Sequence, residues 1–140
     1  MTCLQFTIEG NHENPEGNPV PYTRVLNHSW RGDSVRYMRW CGYVRKQLLK
    51  SLNEVSIEEM RKEGTSIGIL EGKLRVPKEK KVRVGISVAW ASNTHGDLDN
   101  VLKGILDSVF ENDKNVCSFT ARAAPAKDKK GKVDVVISII

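Results

Sequence analysis

The sequence is poor in cysteine: Cys3, Cys41 and Cys117 are widely spaced and odd in number. That excludes a disulfide-stapled scaffold and argues against a cysteine metal site, and it fits reduced thiols in a cytoplasmic protein. Long hydrophobic runs are missing as well. The longest, VDVVISII at 133–140, is interrupted by Asp134 and Ser138 and is far too short to span a bilayer. No membrane partner is therefore expected. The opening MTCLQFTIEG has neither the basic start nor the apolar stretch of a secretory leader. Internal repeats, low-complexity tracts and long linkers are also lacking, so the chain reads as a single domain over 1–140.

What is present is an ordinary globular composition, 39% hydrophobic and 28% charged over 140 residues, enough to bury a core. The net charge of +5 is unevenly spread. One basic stretch holds Arg24, Arg31, Arg36, Arg39, Arg45, Lys46 and Lys50, interleaved with Trp30, Tyr37, Trp40 and Tyr43. A second runs from Lys73 to Arg83, and a third, Lys127, Lys129, Lys130 and Lys132, surrounds Gly131. Basic patches with interspersed aromatics suit a phosphate backbone, although a solvated basic surface has the same composition.

Periodicity outlines the elements. CLQFTIEG alternates as a strand and runs into NHENPEGNPVPYTR, a loop rich in Asn, Gly and Pro. Asp33 or Ser34 begins a helix to about Lys50, with Tyr37, Cys41, Val44 and Leu48 at helical spacing. Ser56-Ile57-Glu58-Glu59 is a capping-box pattern for a short helix, and SIGIL and KLRV read as short strands around Glu71-Gly72. VRVGISVAW alternates strictly from Val82. VCSFTARAA and KVDVVISII then read as two strands joined by a turn containing Lys129-Lys130-Gly131. The expected fold is an α/β two-layer sandwich: a small mixed sheet with two main helices, in β-α-β-α-β-β order.

After VRVGISVAW and running into VCSFTARAA comes THGDLDNVLKGILDSVFENDKNV, which gathers Asp97, Asp99, Asp107 and Asp113 around Lys103 in a basic chain. Read as a helix, Leu98, Val101, Leu102, Ile105, Leu106 and Val109 form a buried stripe. Asp97 then stands at the N-cap, and Asp99, Lys103 and Asp107 line up along one edge of the stripe. Structural roles would account for much of this: a cap at Asp97, ladder pairs from Lys103 to Asp99 and Asp107, turn chemistry at Asn112-Asp113. Asp113 follows the helix, so only folding or a second subunit would bring it near Asp97 and Asp99.

The ordered string Asp97-Leu98-Asp99-Asn100, Lys103, Asp107, followed by Glu111-Asn112-Asp113-Lys114-Asn115-Val116, resembles the RusA family of Holliday-junction resolvases. The resemblance covers the second half of the chain, including an expected final hairpin with a basic turn. The first half matches more loosely, through an opening strand, a loop with Pro19, Pro21 and Arg24, and a basic helix. Where the family usually carries paired acids, this chain has Asn112-Asp113, and residues 51–80 read as an insertion. The resemblance implies an endonuclease, dependent on Mg²⁺ with Mn²⁺ as a substitute, that cuts four-way DNA junctions as a homodimer. It implies Asp97, Asp99 and Asp113 as metal ligands and Lys103 as a further catalytic residue. Arg24, Arg31, Arg36, Arg39, Lys127, Lys129, Lys130 and Lys132 are the expected DNA contacts. Two other readings stand beside it: a nucleic-acid-binding protein without catalysis, and a nuclease built on Glu71-x-Lys73. His12, His28 and His95 read as loop or surface residues.

Overall fold

The computed structural model describes residues 2–23, 32–52, 68–70 and 72–140. Six strands and two long helices follow in order: β1 (Thr2–Glu9), α1 (Gly32–Ser51), β2 (Gly68–Leu70), β3 (Lys73–Arg75), β4 (Val82–Trp90), α2 (Leu98–Val109), β5 (Val116–Pro125) and β6 (Lys132–Ile139). The arrangement is the expected α/β sandwich, with the small hairpin β2–β3 added before β4. The short helix expected from Ser56 lies outside the described residues.

The main sheet is mixed, in the order β1-β6-β4-β5. β6 pairs antiparallel with both β1 and β4, whereas β4 and β5 run parallel and are joined by α2 as a crossover. The final pair of strands is therefore no hairpin. β4 lies between β5 and β6, and residues 126–131 carry the chain across its end. Burial explains the order. β6 sends Val133, Val135, Ile137 and Ile139 into the core at 0–1% exposure, which requires a central place. β5 offers mostly small or polar side chains and takes the edge.

Alternation makes one face of the sheet apolar, and the helices cover it. Leu4, Phe6 and Ile8 of β1 and Val82, Val84, Ile86 and Val88 of β4 are buried with Tyr37, Trp40, Val44 and Leu48 of α1 and Val101, Ile105 and Val109 of α2. Burying side chains of this size contributes about 1.5–3 kcal/mol each, which is what holds the layers together. Leu74 of β3 joins the same core, bridging to Phe110 just after α2. No helix among the described residues is long and apolar enough to cross a membrane.

Candidate active site

β4 ends at Trp90 and β5 at Pro125, which are register partners, while β6 begins at Lys132 beside Glu9, the last residue of β1. Three loops, 10–21, 91–97 and 126–131, therefore meet at one edge of the sheet. This is the carboxyl end of the parallel pair, where open α/β sheets carry ligand sites. The loops are stitched by Asn18: its Oδ1 accepts from the Ala91 amide (2.6 Å) and its Nδ2 donates to Thr94 O (2.9 Å). Gly10 N–H donates to Gly131 O (2.8 Å) and Gly131 N–H to Glu16 O (3.0 Å). A Cβ on Gly131 would stand 1.9 Å from Gly17 O, and one on Gly96 would stand 2.7 Å from Pro21. Glycine at both positions is thus needed for the close approach of the loops. Between them lies a groove of about 800 Å³, lined in part by Arg36, Thr94, His95, Gly96 and Lys129.

Asp97 stands at the lip of this edge as the N-cap residue of α2, in extended backbone (φ −68°, ψ 143°), as its position ahead of Leu98 implies. Its carboxylate makes no capping hydrogen bond. The structural role that aspartate most often has at a helix start is left unused. Asp99, in the first turn, is exposed beside it. Two carboxylates therefore project from one helix start, where the amide dipoles favour negative charge.

The ladder expected along α2 does not form: among the described residues no ion pair joins Lys103 to Asp99 or Asp107. Lys103 Nζ instead lies 4.1 Å from the centre of the Tyr22 ring. Tyr22 is itself fixed, donating its amide to Asn100 O (2.9 Å) and meeting Tyr37 edge-on with ring centres 5.3 Å apart. Asp107 accepts a hydrogen bond from the Tyr37 hydroxyl (2.7 Å) and so ties α2 to α1. Burial, followed by that bond, pushes the Tyr37 hydroxyl far above its ordinary range, so it remains a donor. Asp107 is accounted for by packing rather than by the site.

Asp113 lies elsewhere. It opens a single 3₁₀ turn, Asp113–Asn115, between α2 and β5, where Asn112 takes the turn-capping role by accepting from Lys114 N–H (3.0 Å). The 12 residues of α2 separate Asp113 from Asp97 by about 18 Å at 1.5 Å per residue. They stand at opposite edges of the sheet, and folding of one chain does not bring the three acids together. Among the described residues no group of three or more His, Cys, Asp or Glu is placed to hold a metal ion. Mg²⁺ is commonly held by one or two carboxylates with waters and substrate phosphate, so the donor set of Asp97 and Asp99 fits the ion without a third acid.

The expected DNA contacts divide. Lys127, Lys129, Lys130 and Lys132 are exposed around the 126–131 loop, on the same edge as Asp97; Lys130 Nζ reaches Glu16 at 3.7 Å. Arg39 is exposed on α1. Arg36 is exposed but engaged by Glu13, whose carboxyl it holds below the usual range. Arg24 and Arg31 lie outside the described residues, as does Glu71; Lys73 is in β3, near the far end of α2.

Two features of the edge carry no sequence signal. Tyr22 looks like any residue of a proline-rich loop until the fold sets it against α2. His95, read as a loop residue, is stacked flat on Trp90, with ring centres 3.8 Å apart and planes 2° from parallel. Its Nδ1 lies 2.8 Å from Gly96 O, which leaves Nε2 as the free ring nitrogen two residues from Asp97.

The sequence matches none of the protein-family models and none of the curated proteins with which it was compared.

Proposed function

We propose that the chain is a metal-dependent endonuclease of the RusA type, hydrolysing phosphodiesters in four-way DNA junctions as a homodimer. The observation that carries the reading is the Asp97 carboxylate, exposed at the start of α2 and making no capping bond, with exposed Asp99 in the same first turn and the exposed lysines of the 126–131 loop at the same end of the sheet. Acids at the focus of a basic surface suit a site that must attract a polyanion and still hold a cation.

In this reading Asp97 and Asp99 would hold Mg²⁺ or Mn²⁺ through hard carboxylate oxygens. Bound there, the ion supplies a water of lowered pKa and stabilises charge at the scissile phosphate. Lys103, one turn beyond Asp99 and seated on the Tyr22 ring, places a positive charge where the transition state accumulates negative charge. The 127–132 lysines and Arg39 grip backbone phosphates, which orients the strand without reading sequence. Asp113 is too distant to serve the same site in its own chain. A two-fold partner would supply it, so that each site takes Asp97, Asp99 and Lys103 from one chain and Asp113 from the other. The two-fold symmetry of a four-way junction suits a dimer with two such sites.

The alternative is a nucleic-acid-binding protein without catalysis, favoured by the lack, among the described residues, of three acids gathered in one chain. Cleavage of a labelled four-way junction in Mg²⁺, with binding measured in parallel, separates the two. Paired symmetric nicks by the parent, reduced on the order of 100-fold or more in Asp99→Asn while binding persists, are expected of a lost metal ligand. Tight binding with no cleavage in Mg²⁺ or Mn²⁺ would leave only the binding protein.

A further inference from the structure

The flat stack of His95 on Trp90 is the one aromatic pair on the wall of the groove between the three loops, among the described residues. Trp90 is nearly buried, whereas His95 is exposed. The imidazole is held in two ways: its face lies against the indole at 3.8 Å, and Nδ1 donates to Gly96 O. Gly96 in turn is pressed against Pro21, where no Cβ would fit. Trp90 therefore covers one face of the imidazole, yet His95 stays exposed and lines the groove. A stack with one face uncovered accepts a third flat ring. The charge of the groove decides what kind of ring. Its lining carries two acids, Glu13 and Glu16, against Arg36 and Lys129, and so has no net charge. Glu13 is engaged by Arg36, and Glu16 lies 3.7 Å from Lys130. A phosphate gains little in such a place. An uncharged flat group with polar edges suits it, since Asn14 and Thr94 supply amide and hydroxyl groups there.

We infer that this groove is a nucleobase site, in which an unpaired base of the bound strand stacks on His95 and extends the Trp90–His95 pair to three rings. The inference rests on the nuclease reading for one point, that a nucleic acid strand lies along this edge. The position fits a strand at Asp97. His95 precedes Asp97 by two residues, at most about 7 Å of chain, so the stacked base belongs to a nucleotide next to the phosphate held there. The ring is already fixed by Trp90 and Gly96, so binding a base costs little further side-chain entropy. Every base has a flat face, and stacking alone tolerates any sequence. Pairing state is another matter. In a continuous duplex both faces of a base are covered by its neighbours, so only an unpaired or splayed base can enter. The groove thereby favours DNA with disrupted pairing over continuous duplex, a distinction that lysine contacts to phosphates do not make.

Fluorescence anisotropy of the full chain in EDTA tests the site with three labelled ligands: a short oligothymidine, a chain of stable abasic residues of the same length, and a continuous duplex. The parent should bind the oligothymidine about 5- to 100-fold more tightly than the abasic chain, the range expected of one stacked base. His95→Ala, with an unchanged circular dichroism spectrum, should lose that difference and bind the duplex as the parent does. His95→Phe, which keeps a flat ring and removes both nitrogens, should restore it. A parent that binds the two single strands equally, or neither, would overturn the inference. So would a preference that survives in His95→Ala, which would reduce the stack to a cover for Trp90. A loss that His95→Phe does not restore would put the ring nitrogen, and not stacking, at work and would also overturn it. The nuclease reading fails separately: a base preference lost in His95→Ala, in a protein that leaves junctions uncut in Mg²⁺, keeps the site and sinks the chemistry. Junction cleavage without any base preference does the reverse.

Discussion

The division of the acids between the two ends of α2 yields a complementation experiment whose size can be worked out beforehand. Two ligands of one Mg²⁺ each approach it to about 2.1 Å, so their oxygens lie within about 4 Å of one another. Asp97 and Asp113 of a single chain are separated by roughly the length of α2, about 18 Å. If both serve one ion, they come from different chains. Asp99→Asn and Asp113→Asn homodimers then each have two damaged sites. In a mixed dimer both lesions fall in one site, because each site takes Asp99 from one chain and Asp113 from the other. The second site is intact. Random mixing of equal amounts makes half the dimers mixed, so about one-quarter of all sites are restored. Nicking of a labelled junction after co-refolding should therefore rise from background to about one-quarter of the parent rate per site. Single nicks should dominate, since a mixed dimer has one working site. A mixture as inactive as its components, although mixed dimers are demonstrated by mass, would refute the shared site. Full activity of Asp113→Asn alone would remove Asp113 from the chemistry.

Asp107→Ala strands the buried Tyr37 hydroxyl and should cost about 1–2 kcal/mol in a urea titration while leaving junction cleavage per folded molecule unchanged; a cleavage defect exceeding the folding defect would return Asp107 to the site. His12 has its pKa lowered from 6.5, chiefly by burial, so the unfolded chain takes up a proton there more readily than the folded one. Stability should then fall as pH drops through 6.5, and His12→Gln should flatten that limb of a melting-temperature profile; Glu13, lowered from 4.5 by Arg36, acts in the same direction only at more acid pH. Gly96→Ala would drive a Cβ to 2.7 Å from Pro21 and displace the loop that ends at Asp97, so junction cleavage should fall further than junction binding; equal losses in both would mean that the loop acts in binding alone. Lys129→Ala with Lys130→Ala should weaken binding of all sequences alike and shallow the salt slope by about 2; an unchanged slope would place the DNA elsewhere.

What was legible in the sequence was local. The strict alternation from Val82 to Trp90 and the apolar stripe of 98–109 define elements that the structure keeps almost to the residue, because each buries one face against the same core. What failed was pairing between neighbours in the sequence. VCSFTARAA and KVDVVISII look like a hairpin when only the turn between them is considered, yet the decisive fact is how much apolar surface each must hide. β6 presents four large aliphatic residues and needs strands on both sides, whereas β5 presents alanines and one phenylalanine. That comparison is readable from composition, and it would have placed β6 inside and β5 at the edge. The same contrast bears on the acids. Asp97 and Asp99 are two residues apart and both belong to the start of α2, as the sequence implies. Asp113 is separated from them by a rigid rod, and no local pattern states to which chain's site a residue at the far end of a rod belongs. The length of α2 already keeps Asp113 away from the Asp97 end of its own chain.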